Sequence, residues 1–259
     1  MKSLIRQAIH PQYAPVAVLF TDEKPDHAIS FQENRYGCVA AMLSAAAKGR
    51  TVAFDRKTFG CSGGGVGLGF GNCYENFPGG IGEFLSTGNA VFAKTDFGQK
   101  MMKVLPQIEK GERYLKNPAI AEQMINSTPI WNIKEKYVVF QPLENVPEYG
   151  KPQVVIFFAN PDQLTALCVL ANYARTSAEN VIAPFGSGCQ QIGVLVYKEG
   201  EAEHPRAVIG LTDITVRKFF AKDILSFSVP YKMYLEMESN VNGSFLDSEE
   251  WQDILRRNQ

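Results

Sequence analysis

The residues best suited to chemistry are five cysteines, Cys38, Cys61, Cys73, Cys168 and Cys189. A thiolate is both a nucleophile and a ligand for soft metals, so cysteines are candidates for redox, covalent or metal chemistry. The sequence contains no Cys-x-x-Cys pair, and therefore supports neither a thioredoxin-type couple nor a zinc ribbon. In a reducing compartment, an odd number of cysteines favours free thiols or ligands over disulfides.

Cys61 lies at the start of a glycine-rich tract that reads Phe-Gly-Cys-Ser-Gly-Gly-Gly-Val-Gly-Leu-Gly-Phe-Gly over residues 59–71. Ten of the 22 glycines fall between Gly60 and Gly82. This density predicts a functional loop whose backbone takes positive φ angles or is approached closely by a ligand. One such use is an anion site made of consecutive backbone N–H groups. The alternative is a tight crossover between packed elements, or a mobile lid.

The tract fits no standard nucleotide fingerprint. No register gives glycine at i, i+2 and i+5, and the Gly150-Lys151 pair precedes proline, so an ordinary NAD site and an ATP-binding P-loop are not supported. Residues 60–64 do match the nucleophile elbow Gly-x-Ser-x-Gly. The predicted strand ends too early, however, the residues after Ser62 are poor helix formers, and no histidine shows a supporting pattern.

The elements that position the cysteines follow a repeated order of strand, helix, strand and loop. In the first copy these elements are strand 15–20, helix 38–48, strand 51–55 and the glycine loop from Gly60. In the second copy they are strand 152–158, a helix 161–174 capped by Asn160, strand 180–185 and the loop 185–189. Cysteine and glycine placement also agree, so we interpret the chain as a β-α-β-loop duplication. The alternative is that any α/β chain shows such similarities.

The predicted fold is therefore α/β, or α+β, with a mixed sheet. We expect one compact domain over residues 1–259, built of two similar halves, roughly 1–95 and 151–259, and joined by a mostly helical segment, 96–150. Further helices are predicted at 79–88, 98–115 and 117–126. Later in the chain the predicted elements are a strand at 137–142, strands at 194–197 and 207–211, a helix start at 214–220, and helices at 229–238 and 248–256.

Cys61 and Cys189 occupy matching loops, each of which follows a strand. Because ligands collect at the carboxyl ends of strands in open α/β sheets, we expect these two cysteines to line one site. The predicted cofactor-binding residues are Gly60, Ser62, Gly63, Gly64, Gly65, Gly186 and Gly188. The predicted metal ligands are Cys61, Cys189, Cys38 and Cys168, which suit an iron–sulfur cluster or another soft metal.

Each of these assignments has a plainer alternative. Cys38 and Cys168 lie on apolar predicted helices, where a free cysteine is commonly a small buried side chain. Asp213 and Arg217 are spaced i, i+4 at a predicted helix start, which is typical of an ordinary surface ion pair.

Charge and hydropathy narrow the choice of partners. The net charge is −1, and the basic residues are scattered, so no nucleic-acid or anionic-membrane partner is expected. The apolar runs are of strand length and the amino terminus shows no signal-peptide pattern, so we expect a cytoplasmic protein that binds a small molecule or cofactor. A homodimer is expected only because dimers are the commonest closed assembly.

The pattern around Cys38, Cys61, Gly63–Gly64, Cys168 and Cys189 resembles the prokaryotic family called domain of unknown function 169. The resemblance covers roughly residues 15–230. That family is frequent in anaerobic bacteria and archaea, and it implies no activity and no catalytic residues that could be carried over. An anaerobic setting is compatible with exposed thiolates and iron–sulfur chemistry.

Three functions therefore remain open. The first is a cysteine-ligated metal or iron–sulfur protein with a cofactor-handling role. The second is a binding protein for a small molecule or phosphate ligand, in which the glycine loop is an anion site and the cysteines are structural. The third is a thiol-dependent enzyme that uses Cys61 as its nucleophile.

Overall fold

The structure, a computed structural model, describes residues 1–33 and 35–257. Over these residues the chain forms twelve α-helices and a seven-stranded mixed sheet, which confirms the predicted α/β class. The chain divides into two compact units, one of Met1–Phe70 with Asn132–Gln259 and one of Gly71–Trp131. These units are defined by their compactness, so they do not test whether the chain is built of two similar halves. The duplication therefore stays a prediction.

The sheet lies in the larger unit. Its strands are β1 (Val16–Thr21), β2 (Val52–Phe54), β3 (Tyr137–Pro142), β4 (Val154–Ala159), β5 (Val181–Ile182), β6 (Ala207–Gly210) and β7 (Leu225–Pro230). They lie in the order β2-β3-β1-β4-β7-β6-β5. Neighbours in this order pair antiparallel, except that β5 and β6 are parallel.

The α-helices are, in chain order, α1 (Leu4–Ile9), α2 (Val39–Ala47), α3 (Ser62–Leu68), α4 (Ile81–Leu85), α5 (Ala90–Ala93), α6 (Asp96–Met102), α7 (Pro118–Ser127), α8 (Pro161–Asn172), α9 (Gly188–Ile192), α10 (Val194–Gly200), α11 (Tyr231–Ser239) and α12 (Glu249–Arg257). Short 3-10 helices form at Pro106–Ile108, Leu143–Asn145, Ile214–Phe219 and Phe245–Asp247. The smaller unit contains α4 to α7 and the first of these 3-10 helices.

Most of the predicted helices and strands are confirmed, and three of them differ in type or bounds. Residues 194–197 were expected to form a strand but begin α10, because a short apolar run does not distinguish a buried strand from a buried helix. The helix expected at 229–238 starts only at Tyr231, since residues 225–230 complete β7. The helix expected at 98–115 is interrupted, because Pro106 starts a separate 3-10 turn after α6.

The sheet has buried side chains on both faces. On one face, Val155 and Phe157 of β4 and Phe227 and Val229 of β7 join a hydrophobic core with α1, α8, α11 and α12. On the other face, α2 packs on β1, β2 and β3, while α9 and α10 pack on β6 and β7. A sheet covered on both faces explains why β4 is an unbroken apolar run rather than an alternating one.

The start of α8 forms as the sequence predicts. The Asn160 side chain accepts a hydrogen bond from the Gln163 amide at 2.9 Å, and the Gln163 side chain accepts one from the Asn160 amide at 3.0 Å. Pro161 occupies the first helical position, where its missing N–H costs nothing. This reciprocal cap fixes the direction in which the chain leaves β4.

Replacing Phe157 with alanine tests the packing of this core. Phe157 is fully buried, so Phe157→Ala should lower the free energy of unfolding by about 3–5 kcal/mol in a urea titration. Val169, on the solvent side of α8, is 44% exposed, and Val169→Ala should change stability by less than about 0.5 kcal/mol. Equal effects of the two substitutions would contradict the described packing.

Candidate functional site

The glycine tract is not a loop over its central seven residues. Ser62–Leu68 forms helix α3, so the predicted loop at 59–71 is wrong for this segment. Cys61 is the N-cap, and its Sγ accepts a hydrogen bond from the Gly64 amide at 3.3 Å. Gly69 ends the helix in a left-handed conformation with φ of 93°. Glycine is a poor helix former, so tertiary packing must stabilise this helix.

The packing that requires glycine is the contact of α3 with α9. A Cβ atom at Gly67 would lie 2.5 Å from both the carbonyl carbon and the Cβ of Cys189. A Cβ at Gly193, directly after α9, would lie 1.9 Å from the carbonyl oxygen of Gly67. Neither distance is compatible with a side chain, so the two helices meet backbone to backbone. The alternative of a tight contact between packed elements therefore explains these two glycines.

Cys189 is part of α9 and not of a loop. The Ser187 side chain caps this helix by accepting a hydrogen bond from the Gln190 amide, and the Gln190 side chain accepts one from the Ser187 amide at 2.9 Å. The Ser-x-x-Gln pattern was visible in the sequence, and it marked a helix start that the loop interpretation of 185–189 missed. Gly186 precedes this cap, whereas Gly188 is the first residue of α9.

Cys38 lies next to the start of α3. It is the N-cap residue of α2, and the amide of the preceding Gly37 donates a hydrogen bond to the Gly60 carbonyl at 3.2 Å. A Cβ at Gly64 would lie 2.8 Å from Cγ2 of Val39 and 3.6 Å from Sγ of Cys61. The starts of α2 and α3 therefore meet, and Cys38 and Cys61 each occupy a helix start at this junction.

Electrostatic effects connect the three cysteines at these helix starts, since Cys38 raises the pKa of Cys61, and both raise the pKa of Cys189. The pKa of Cys61 is raised from 9.0 to about 11, mainly by burial and also by Cys38 and Asp213, although the Gly64 and Gly63 amides act in the opposite direction. Burial raises the pKa of Cys189 well above 9.0, and both Cys61 and Cys38 add to this rise. Because these effects link the three side chains, we call Cys38, Cys61 and Cys189 the thiol cluster.

The pKa of Cys38 is likewise set by burial, by backbone amides and by neighbouring charges. Burial raises its pKa, the Ala40 and Ala41 amides at the start of α2 lower it, Asp213 raises it and Lys218 lowers it. Elevated pKa values mean that all three thiols of the cluster are protonated at neutral pH. Cys61 therefore lies in the helix pair that also carries Cys189, with Cys38 beside it, and a shared ligand site of these cysteines stays a prediction.

Cys168 lies elsewhere. It is in the middle of α8, where it packs against the hydrophobic core on the other face of the sheet, and burial raises its pKa. Its position fits the alternative of a small buried side chain. The sequence grouped it with Cys38 because both lie near helices, but Cys38 precedes its helix while Cys168 lies inside one.

Asp213 belongs to the site, although its spacing predicted a surface ion pair with Arg217. It is only 8% exposed, and its carboxylate accepts hydrogen bonds from the Gly188 amide at 3.2 Å and from the Thr215 amide at 3.0 Å. Arg217 instead donates to backbone carbonyls, including that of Lys222 at 2.8 Å. The surface ion pair is therefore wrong for Asp213, whose carboxylate stabilises the start of α9 and raises the pKa of all three thiols.

Gln191 is a second residue that the sequence did not single out. Its side chain is fully buried; the amide nitrogen donates to the Pro184 carbonyl at 3.0 Å and to the Thr212 hydroxyl at 2.6 Å. Its amide oxygen accepts from the Thr212 amide at 3.3 Å. It therefore joins the chain before α9 to the chain before Asp213. The local sequence gives no signal for this role, because one partner, Thr212, is 21 residues away and the other is the backbone carbonyl of Pro184.

The cysteines predicted as metal ligands do not form a ready-made metal site in the described residues. Over residues 1–33 and 35–257, no group of three or more His, Cys, Asp or Glu side chains is arranged to hold a metal ion. The thiols of the cluster therefore need to reorient if they are to share one ion.

The nucleophile-elbow match is only partly in its required context. A helix does follow directly, since Ser62 is the first residue of α3, contrary to the sequence expectation. The strand does not adjoin the serine, because β2 ends at Phe54. Ser62 thus lacks the sharp strand-to-helix turn that exposes the nucleophile in hydrolases.

Comparison with known families places this site in context. Residues 4–240 match the model of domain of unknown function 169, a family described as "Uncharacterised ArCR". The chain belongs to this family. This confirms the resemblance seen in the cysteine and glycine pattern, and the family description assigns no activity. No curated protein and no solved structure matches the chain. Within the described residues, no helix has both the length and the apolar character needed to cross a membrane.

Adding one methyl group at Gly67 tests the contact between α3 and α9. Gly67→Ala should lower the free energy of unfolding by about 1–3 kcal/mol or more, because the new Cβ collides with the backbone of Cys189. Gly200→Ala is the matched control, since a Cβ there meets only Pro230 at 3.6 Å. It should leave stability unchanged or slightly raised. A harmless Gly67→Ala in urea titrations would refute the close approach.

The elevated pKa of Cys61 predicts a loss of stability in alkali. The folded state holds the Cys61 proton more tightly than the unfolded state, so this contribution is complete below pH 9 and disappears as the pH rises through about 11. Over that interval the free energy of unfolding should fall, on the order of 2 kcal/mol more in the native protein than in Cys61→Ser. Parallel pH profiles for the two proteins would show that Cys61 is not desolvated.

Proposed function

We propose that the protein binds a soft metal ion, or a cofactor that contains one, through the thiol cluster. The observation that supports this proposal is that Cys38, Cys61 and Cys189 lie at three helix starts, of which α3 packs against both others, and that Cys38 and Cys61 both raise the pKa of Cys189. Thiolates select soft metals, and burial of the thiols strengthens the attraction between thiolates and a cation.

The alternative of a phosphate ligand is less well supported. An anion site needs backbone N–H groups that point at the ligand, but the Gly64 amide already donates to Cys61 Sγ and the Gly188 amide to Asp213. The buried carboxylate of Asp213 also adds negative charge, which repels an anion. The same negative charge favours a cation.

The alternative of a thiol-dependent enzyme is also less well supported. A nucleophilic cysteine needs a thiolate near neutral pH, and enzymes obtain it by lowering the pKa of the thiol. Here burial raises the pKa of Cys61 to about 11. A metal ion reverses this situation, because its charge displaces the thiol protons when it binds.

The number of thiols in the cluster limits which metal ion or cofactor it can hold. Within the described residues the thiols are not arranged around a metal ion, so sharing one ion would require each Sγ to rotate about its Cα–Cβ bond. A two- or three-thiolate site for a single soft ion needs no other ligand from the chain. An iron–sulfur cluster, which ordinarily takes four thiolates, needs further ligands from elsewhere. The iron–sulfur cluster stays a prediction, and the single soft ion is the occupant that we favour.

Metal analysis on protein purified without oxygen tests the proposal. We expect bound metal by mass spectrometry and a thiolate-to-metal absorption band, together with uptake of added Cu⁺ or Zn²⁺ by metal-free protein. Cys61→Ser and Cys189→Ser should each reduce the affinity by at least about tenfold. Cys38→Ser should have an effect of the same kind.

Cys168→Ala is the matched control, because Cys168 is also partly buried but lies in α8 against the opposite core. It should leave metal binding unchanged. Two outcomes would contradict the proposal. One is metal-free protein that takes up neither added metal. The other is an equal loss of affinity in Cys168→Ala and Cys61→Ser, which would indicate non-specific thiol binding.

A further inference from the structure

We propose that the face of β7 beneath α9 and α10 binds internal water, held by the hydroxyl groups of Ser226 and Ser228. This site is separate from the thiol cluster, and the proposal does not depend on what the cluster binds.

The starting observation is two buried hydroxyl groups. Ser226 and Ser228 are both fully buried, and neither Oγ has a hydrogen-bond partner among the described residues. Gln190 in α9 is 2% exposed, and the amide nitrogen of its side chain also has no hydrogen-bond partner among the described residues. Native proteins leave few buried polar groups unpaired, and ordered water commonly satisfies those that protein atoms do not reach.

The two serines face the same side of the sheet. Phe227 and Val229, which alternate with them along β7, belong to the core on the opposite face. The side chains of Ser226 and Ser228 therefore point toward α9 and α10, which pack on β6 and β7. Two neighbouring positions of one strand thus present hydroxyl groups to the same buried layer.

Polar atoms of α9 approach this layer at Gly210, which pairs with Ser226 across the strands. A Cβ at Gly210 would lie 2.8 Å from Ser226 Oγ, 2.8 Å from Gln191 Cβ and 3.3 Å from Gln191 Oε1. The Ser226 hydroxyl and the Gln191 side chain therefore both lie against Gly210. Gln191 Oε1 accepts a hydrogen bond from the Thr212 amide, and a carbonyl oxygen has a second lone pair that water can use.

The chemistry of these groups selects water as the occupant. A hydroxyl both donates and accepts, and a buried water needs two to four such partners. The serines carry no charge, so they do not balance the cost of burying an ion. Water here would connect the middle of the sheet to α9, the helix that carries Cys189.

Removing the hydroxyl groups distinguishes a hydrated site from a dry one. If Ser226 and Ser228 bind water, then Ser226→Ala and Ser228→Ala should each raise the unfolding equilibrium constant by about three- to tenfold in urea titrations. If the site is dry, removing an unpaired buried hydroxyl should leave the constant unchanged or lower it. That second result would overturn the proposal.

Ser44→Ala is the matched control. Ser44 is also buried, but its hydroxyl donates to the Phe219 carbonyl at 2.8 Å, so its loss should raise the unfolding constant in either case. A direct measurement separates lost water from altered packing. In labelled native protein, the amide protons of Ser226 and Ser228 should show cross-relaxation with long-lived water, and this signal should weaken in the alanine variants. Absence of that signal from the native protein would also overturn the proposal.

Discussion

The arrangement of the thiols depends on one contact, the backbone-to-backbone approach of α3 and α9. At this contact Gly67 and Gly193 leave no room for a side chain, and Cys189 lies directly against Gly67. A larger residue at either glycine would move the helices apart by the width of a methyl group or more. Because Cys61 caps α3 and Cys189 lies in α9, that movement would also separate the two thiols. The two glycines therefore determine the separation of the helices that position Cys61 and Cys189.

A second set of contacts connects α9 to α2. These contacts are made by the 3-10 helix Ile214–Phe219 and the residue before it. Asp213, at its start, accepts a hydrogen bond from the first amide of α9. Phe219, at its end, accepts one from Ser44 of α2, the helix that follows Cys38. One short segment thus joins the helices that carry two of the three thiols, while Gln191 joins the chain before α9 to the chain just before this segment. Buried polar side chains, rather than apolar packing alone, determine the positions of these helix starts.

The sequence was informative where local pattern and tertiary structure agree. Buried strands such as β4 and the reciprocal cap at Asn160 were predicted because apolar runs and cap residues act over a few residues. Helix α3 was missed because the low helix propensity of glycine is a local property, whereas the packing that stabilises α3 comes from α9, more than a hundred residues later. Asp213 was misassigned for a similar reason, since its i, i+4 spacing to Arg217 says nothing of the distant amide that it caps.

Burial of the thiols bears both on the stability of the folded protein and on the kind of ligand that we propose for the cluster. In the metal-free protein the neutral thiols avoid the cost of burying charge, and mutual repulsion with Asp213 keeps them neutral. A ligand that removes their protons must therefore bring positive charge of its own, and an anion or a neutral polar molecule cannot do so. A soft cation supplies that charge and forms strong bonds to sulfur. The same desolvation that makes Cys61 a poor nucleophile is therefore the reason that we propose a metal ion rather than the other ligands that the sequence left open.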